Sequence, residues 1–153
     1  MSNQREKGGY DASRQSDTGS YQDIMSEVIS SLRESIDIAV KAGVPFENTI
    51  IDPGIGFGKK WQQNLEVINR LEELRVLGRP VLVGPSRKSF IGIILALSAD
   101  ERVEGTAAAV ALSVARGADI VRVHDVRQMV RVCKVADAIV RGNFSPESFG
   151  RRP

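Results

Sequence analysis

Three short runs in this chain are largely apolar: residues 49–51, 80–84 and 118–123, the last broken only by Asp119 and Arg122. A strand with one wet face alternates apolar and polar residues. Runs apolar on both faces therefore predict a parallel sheet covered by helices. The segments between the runs supply those helices. Ile24, Val28, Leu32, Ile36 and Val40 recur every four residues and predict a helix over 21–42, capped by Ser20 and stopped by Gly43. Leu65, Ile68, Leu71 and Leu74 predict a second over 61–77, closed by Gly78. Ile91, Ile94 and Leu95 mark a third, and the alanine-rich stretch 106–116, closed by Gly117, a fourth whose small side chains require close packing. In the last, 126–140, the residues Met129, Val132, Val135, Ala136 and Ile139 share one face. The fold class is α/β, with a further short strand expected near Val103. Three or four strands cannot close an eight-stranded barrel, so the sheet is either open or part of something larger.

A chain of 153 residues, 42% hydrophobic and 26% charged, has the balance of one soluble globular domain. Residues 1–20 offer little to bury beyond Met1, Tyr10 and Ala12, and are expected to form a mobile polar segment; 142–153 read as a polar tail. The net charge of +2 steers the chain to neither nucleic acid nor an anionic membrane surface. No apolar stretch approaches the ~20 residues of a membrane span, and no secretory signal is visible, so a cytoplasmic protein is expected. The single cysteine, Cys133, lies in a helical pattern and reads as an inert buried thiol.

Each expected strand runs into polar residues. Asp52 ends the first, and Gly54, Gly56 and Gly58 follow at alternate positions, a loop whose backbone can lie against a ligand. A carboxylate there suits the paired N–H donors of a nitrogen heterocycle, and Phe57 adds an aromatic face. The spacing is neither a Walker loop nor a dinucleotide fingerprint, and a generic glycine turn is the plainer alternative. After the second strand, Ser86, Arg87, Lys88 and Ser89 run straight into the third helix. Ser86 or Ser89 would cap it, leaving backbone N–H groups and the movable charge of Lys88 to meet an anion; a solvated helix start is the alternative. The third strand ends in Arg122-Val123-His124, whose alternation puts Arg122 and the only histidine on one side. That is half of a phosphate site, unless Arg122 simply pairs with Asp119 or Asp125. Polar groups at three strand ends favour a single pocket at the sheet's C-terminal edge.

The segments Ile51-Asp52-Pro53-Gly54-Ile55-Gly56-Phe57-Gly58-Lys59, Gly84-Pro85-Ser86-Arg87-Lys88-Ser89-Phe90-Ile91-Gly92, Gly105-Thr106-Ala107-Ala108-Ala109 and Arg122-Val123-His124-Asp125-Val126 resemble the dihydropteroate synthase family in content, order and spacing. The resemblance covers about residues 21–141. It implies the second half of a (β/α)8 TIM barrel, strands five to eight with their helices. Met1-Ser2 resembles the end of the fourth strand, where Met-His is usual, and Ser2 departs from that pattern.

The implied reaction joins 4-aminobenzoate to 6-hydroxymethyl-7,8-dihydropterin diphosphate, giving dihydropteroate and diphosphate for folate synthesis. By resemblance, Asp52 would bond the pterin ring and Lys88 would contact the pterin and steady the leaving charge. Gly56 would line the pocket, and Arg122 and His124 would grip the diphosphate. Ser89 would receive the aminobenzoate carboxylate, flanked by Phe57 and Arg87, on the side where sulfonamides compete. Magnesium is implied too, with its protein ligand in the barrel's first half. A homodimer, or pairing with a first half, is the implied assembly. Two other readings are a non-catalytic half-barrel that oligomerises or pairs with another chain, and a pterin-dependent methyltransferase domain.

Overall fold

The computed structural model describes residues 23–142. The expected mobile segment, the Ser20 cap, the Met1-Ser2 strand remnant and all of the tail beyond Gly142 lie outside that range. Helix α1, Ile24–Lys41, starts at Asp23, whose carboxylate accepts the Ser26 N–H (3.2 Å) and hydroxyl (2.9 Å). Asp23 is the cap because it presents a side-chain oxygen to the exposed N–H groups of the first turn. Ile24, Met25, Val28, Leu32 and Ile36 are buried, as the four-residue stripe requires.

The helix expected over 61–77 is two helices. Helix α2 runs Trp61–Asn69 and a 3₁₀ helix follows over Leu71–Leu77. The spacing explains the break. Apolar residues three apart drift by about 60° per step around an α-helix, but stack in line on a 3₁₀ helix. Leu71, Leu74 and Leu77 are all buried, and Arg70 at the junction ties Asp23, Glu66 and Glu73 together.

The sheet is parallel in the order Ile51, β1 (Leu82–Val83), β2 (Ile120–Val121). The ladders are shorter than the apolar runs. Ile51 makes a single bridge to Val81, and Leu82 and Val83 face Ile120 and Val121. Asp119 accepts the Val81 N–H at 2.9 Å, so its carboxylate works for the sheet and not as a partner of Arg122. Helix α3 runs Ser89–Leu95, α4 Val103–Ala115 and α5 Val126–Arg141. The strand expected near Val103 is thus the first turn of α4, where Thr106, Val110 and Val114 recur four apart and are buried.

Helix α4 approaches α3 closely because Gly105 has no side chain: a Cβ there would lie 2.3 Å from Ile91 Cγ2. On α5 only part of the expected apolar face is covered, with Met129 and Ala136 buried but Val135 and Ile139 exposed. Cys133 is half-buried, and burial pushes its thiol pKa up, away from an activated thiolate. No described helix is long and apolar enough to cross a membrane.

Candidate active site

The strand ends open onto one mouth at the C-terminal edge of the sheet. Asp52 follows Ile51, and its Oδ1 accepts the Gly54 N–H at 2.7 Å, which turns the loop back on itself. Ile55 pins the loop into the core, and buried Asn64 of α2 accepts the Gly56 N–H at 2.7 Å. Gly56 has φ +80°, and a Cβ there would stand 2.7 Å from Lys88 Cδ. Both facts require glycine. Lys88 lies across this loop with Nζ 3.8 Å from the centre of the Phe57 ring, a cation–π contact that joins the first loop to the second. Arg122 reaches in from the end of β2, its Nη2 3.7 Å from Asp52 Oδ2. The arginine is 62% exposed at its side chain and the carboxylate 15%, so the guanidinium stays available to a ligand.

Two cations therefore share the mouth with one carboxylate. Burial, and then the Arg122 charge, push the Lys88 ammonium pKa below its ordinary value, while Asp52 pulls it upward. Lys59 is also shifted down by burial; its Nζ bonds the carbonyls of Gly54 (3.2 Å) and Phe57 (3.4 Å) and stiffens the loop. An anion at the mouth relieves the repulsion between Lys88 and Arg122, and a donor-rich heterocycle satisfies Asp52.

The second loop is braced from three sides. Arg87 sits at φ +56°, unusual for a residue with a side chain. Its N–H donates to the hydroxyl of fully buried Thr106 at 3.0 Å, and its carbonyl accepts from Arg102 at 3.0 Å. Its guanidinium grips Asp125 through Nε (3.1 Å) and Nη2 (2.8 Å) and reaches Asp100 through Nη1 (2.9 Å). These bonds hold the Asp125 carboxyl below the usual range. Asp125 is thus the partner of Arg87, and the arginine expected to flank the pocket braces the second loop. Neither Ser86 nor Ser89 caps α3. Lys88 occupies that position without a side-chain cap, Ser89 is the exposed first helical residue, and the buried Ser86 hydroxyl meets His124.

The structure therefore brings Asp52 against Arg122 and Lys88 against Gly56 and Phe57, with Lys88 within the electrostatic reach of Asp52 and Arg122. His124 stands two residues beyond Arg122 against Ser86, and Ser89 beside Lys88. Of the bracing residues, Thr106 stood in sequence only within a motif and Asp125 as a possible partner of Arg122, while Asn64 and Arg102 were not singled out. Asn64 did leave a signal, a polar residue four before Ile68 on an otherwise apolar stripe. Among the described residues no three His, Cys, Asp or Glu side chains gather around a common point.

Parallel strands followed by helices, with charged and glycine-rich loops at the C-terminal strand ends, are the arrangement in which α/β proteins, barrels and open sheets alike, place their ligand sites. The chain belongs to the pterin binding enzyme family, whose sequence profile matches residues 6–124. It is 52% identical over 120 residues to the dihydropteroate synthase of Bacillus subtilis (strain 168), an alignment covering 78% of this chain and 42% of that protein. Among solved structures it resembles a dihydropteroate synthase from Clostridium difficile determined in the presence of pteroic acid. The TM-score is 0.77 at 45% identity, over 83% of this chain and 48% of the other. The synthase from Thermus thermophilus in complex with 6HMPPP matches with a TM-score of 0.72 at 40% identity, over 78% of this chain and 48% of the other. The architecture is thus part of a TIM barrel, and the chain spans less than half the length of these relatives.

Proposed function

We propose that this chain carries the pterin- and diphosphate-binding part of a dihydropteroate synthase site. The observation that supports this best is the meeting of Asp52, Lys88 and Arg122 at one mouth, with Arg122 3.7 Å from Asp52 and Lys88 on Phe57. In this reading Asp52 accepts N–H donors of the pterin ring, Phe57 and the open face of Gly56 flank it, and Arg122 and His124 hold the diphosphate. The bond between the pterin methylene carbon and the diphosphate oxygen breaks with its electron pair leaving on oxygen. The 4-aminobenzoate nitrogen then bonds to the cationic methylene and loses a proton. Lys88, between ring and anion, offsets charge as it develops, so catalysis rests on fixed charge and positioning. Ser89, exposed beside Lys88, receives the aminobenzoate carboxylate.

Calorimetric titration of the chain with 6-hydroxymethyl-7,8-dihydropterin diphosphate tests the reading. Binding is expected, weakened roughly 10- to 100-fold by Lys88→Ala and by Asp52→Asn, since each removes a hydrogen bond with a charged partner. No heat with the pterin diphosphate, or a response to methyltetrahydrofolate alone, would overturn it. A second reading concerns assembly. Ile50 at one flank and Val135 and Ile139 at the other are exposed, which favours association with a second copy or with further barrel strands. Sedimentation across a concentration series checks this, a monomer throughout being the contrary result.

A further inference from the structure

We propose that Ser86 is a positioning residue for His124, holding the neutral imidazole with its proton on Nε2 so that this nitrogen donates to the anionic group of a bound ligand. The inference rests on the reading above only for the identity of that anion, a diphosphate. Ser86 Oγ accepts the His124 main-chain N–H at 3.2 Å and lies 2.9 Å from His124 Nδ1. Ser86 is 4% exposed, so its hydroxyl hydrogen needs an acceptor within the protein. Among the described residues that acceptor is Nδ1, because the other group touching Oγ is itself a donor. Nδ1 therefore keeps its lone pair, and the ring proton resides on Nε2.

The two ring nitrogens lie on different edges, so anchoring Nδ1 on a buried serine turns Nε2 away from it. His124 is exposed, and Nε2 meets no partner among the described residues. A neutral donor also suits this site: it offers an N–H two residues from Arg122 without adding a further positive charge. The contact spans 38 residues and joins the loop after β1 to the end of β2, which fixes the ring relative to Lys88.

The sole histidine makes the test direct, since two-bond proton–nitrogen correlation of the imidazole in the whole chain reports one ring. At a pH where that ring is neutral, the expected spectrum has a pyrrole-type Nε2 and a pyridine-type Nδ1. A pyrrole-type Nδ1, or shifts averaged between the two forms, would overturn the proposal. Ser86→Ala should convert the single tautomer to an averaged pair and weaken inorganic diphosphate binding roughly three- to tenfold, the loss of one oriented hydrogen bond. Ser86→Thr, which keeps the hydroxyl, should restore the single tautomer. An unchanged tautomer in Ser86→Ala would also refute the role, and if that variant does not fold the wild-type spectrum still decides. A wild-type chain with the expected tautomer but no response to diphosphate would refute the ligand reading while upholding the role of Ser86.

Discussion

The two loops that meet at Lys88 are held in opposite ways. The loop of residues 52–60 is fastened by its own neighbourhood: Asp52 to Gly54, Asn64 to Gly56, and Lys59 to Gly54 and Phe57, none more than eight residues apart. The loop of residues 84–88 is fastened from a distance, by Thr106, Arg102, Asp125 and His124, the nearest of them 14 residues away. A locally closed loop keeps its shape if the surrounding sheet shifts. A loop braced by α4 and by the start of α5 moves with them. Asp52, the proposed heterocycle acceptor, thus sits on the self-contained loop, and Lys88, the cation proposed to offset the developing charge, on the coupled one.

Gly56→Ala attacks the point where the two loops touch and should have the largest effect. The left-handed backbone alone costs an alanine about 1–3 kcal/mol. The new Cβ would also meet Lys88 Cδ at 2.7 Å and swing the lysine off Phe57. Denaturant unfolding should show the stability loss, and pterin diphosphate affinity should fall with it. Full affinity in this variant would mean that Lys88 does not need its place on Phe57.

A matched pair of variants then separates local from distant bracing. Thr106→Val leaves the Arg87 N–H without its partner at a fully buried site, costing about 1–3 kcal/mol. Asn64→Ala does the same to Gly56, whose loop is half-open to water, and should cost about 1 kcal/mol. Amide chemical shifts distinguish the two. Asn64→Ala should perturb residues 52–64 alone, whereas Thr106→Val should reach Asp125 and His124. Equal spread from both variants would erase the contrast between the loops.

The same contrast decides what could be read from sequence. The first loop was legible because its determinants are consecutive: Asp52, three alternate glycines and Phe57 state a turn and a ligand face within seven residues. The sheet and its helices were legible for a related reason, since burial imposes a period on each segment separately. What escaped needed pairs far apart in the chain. Arg87 and Asp125 stand 38 residues apart, and nothing local to either tells that one brace consumes both. Lys88 as the first cap of α3 was hidden by two serines of better capping type. The break after Asn69 was written in the three-residue spacing of Leu71, Leu74 and Leu77, a spacing that an α-helical template also accepts over a short window.

The smallest expected effect is the pH response of the distant brace. Arg87 holds the native Asp125 carboxyl below its ordinary value, so in the unfolded chain the same group binds its proton at higher pH. Its contribution is complete above the unfolded carboxylate pKa, about 3.9, and is lost as pH falls from there through the native value. Unfolding measured in steps below about pH 5 should therefore show a decline that Asp125→Asn flattens, at the cost of lower stability near neutrality. Over the same range the His124 amide, tied to the second loop through Ser86, should shift before the Gly56 amide, which answers only to Asn64. Simultaneous movement of both amides would show that the two loops melt as one unit, and that the distance of a brace along the chain has no bearing on how it fails.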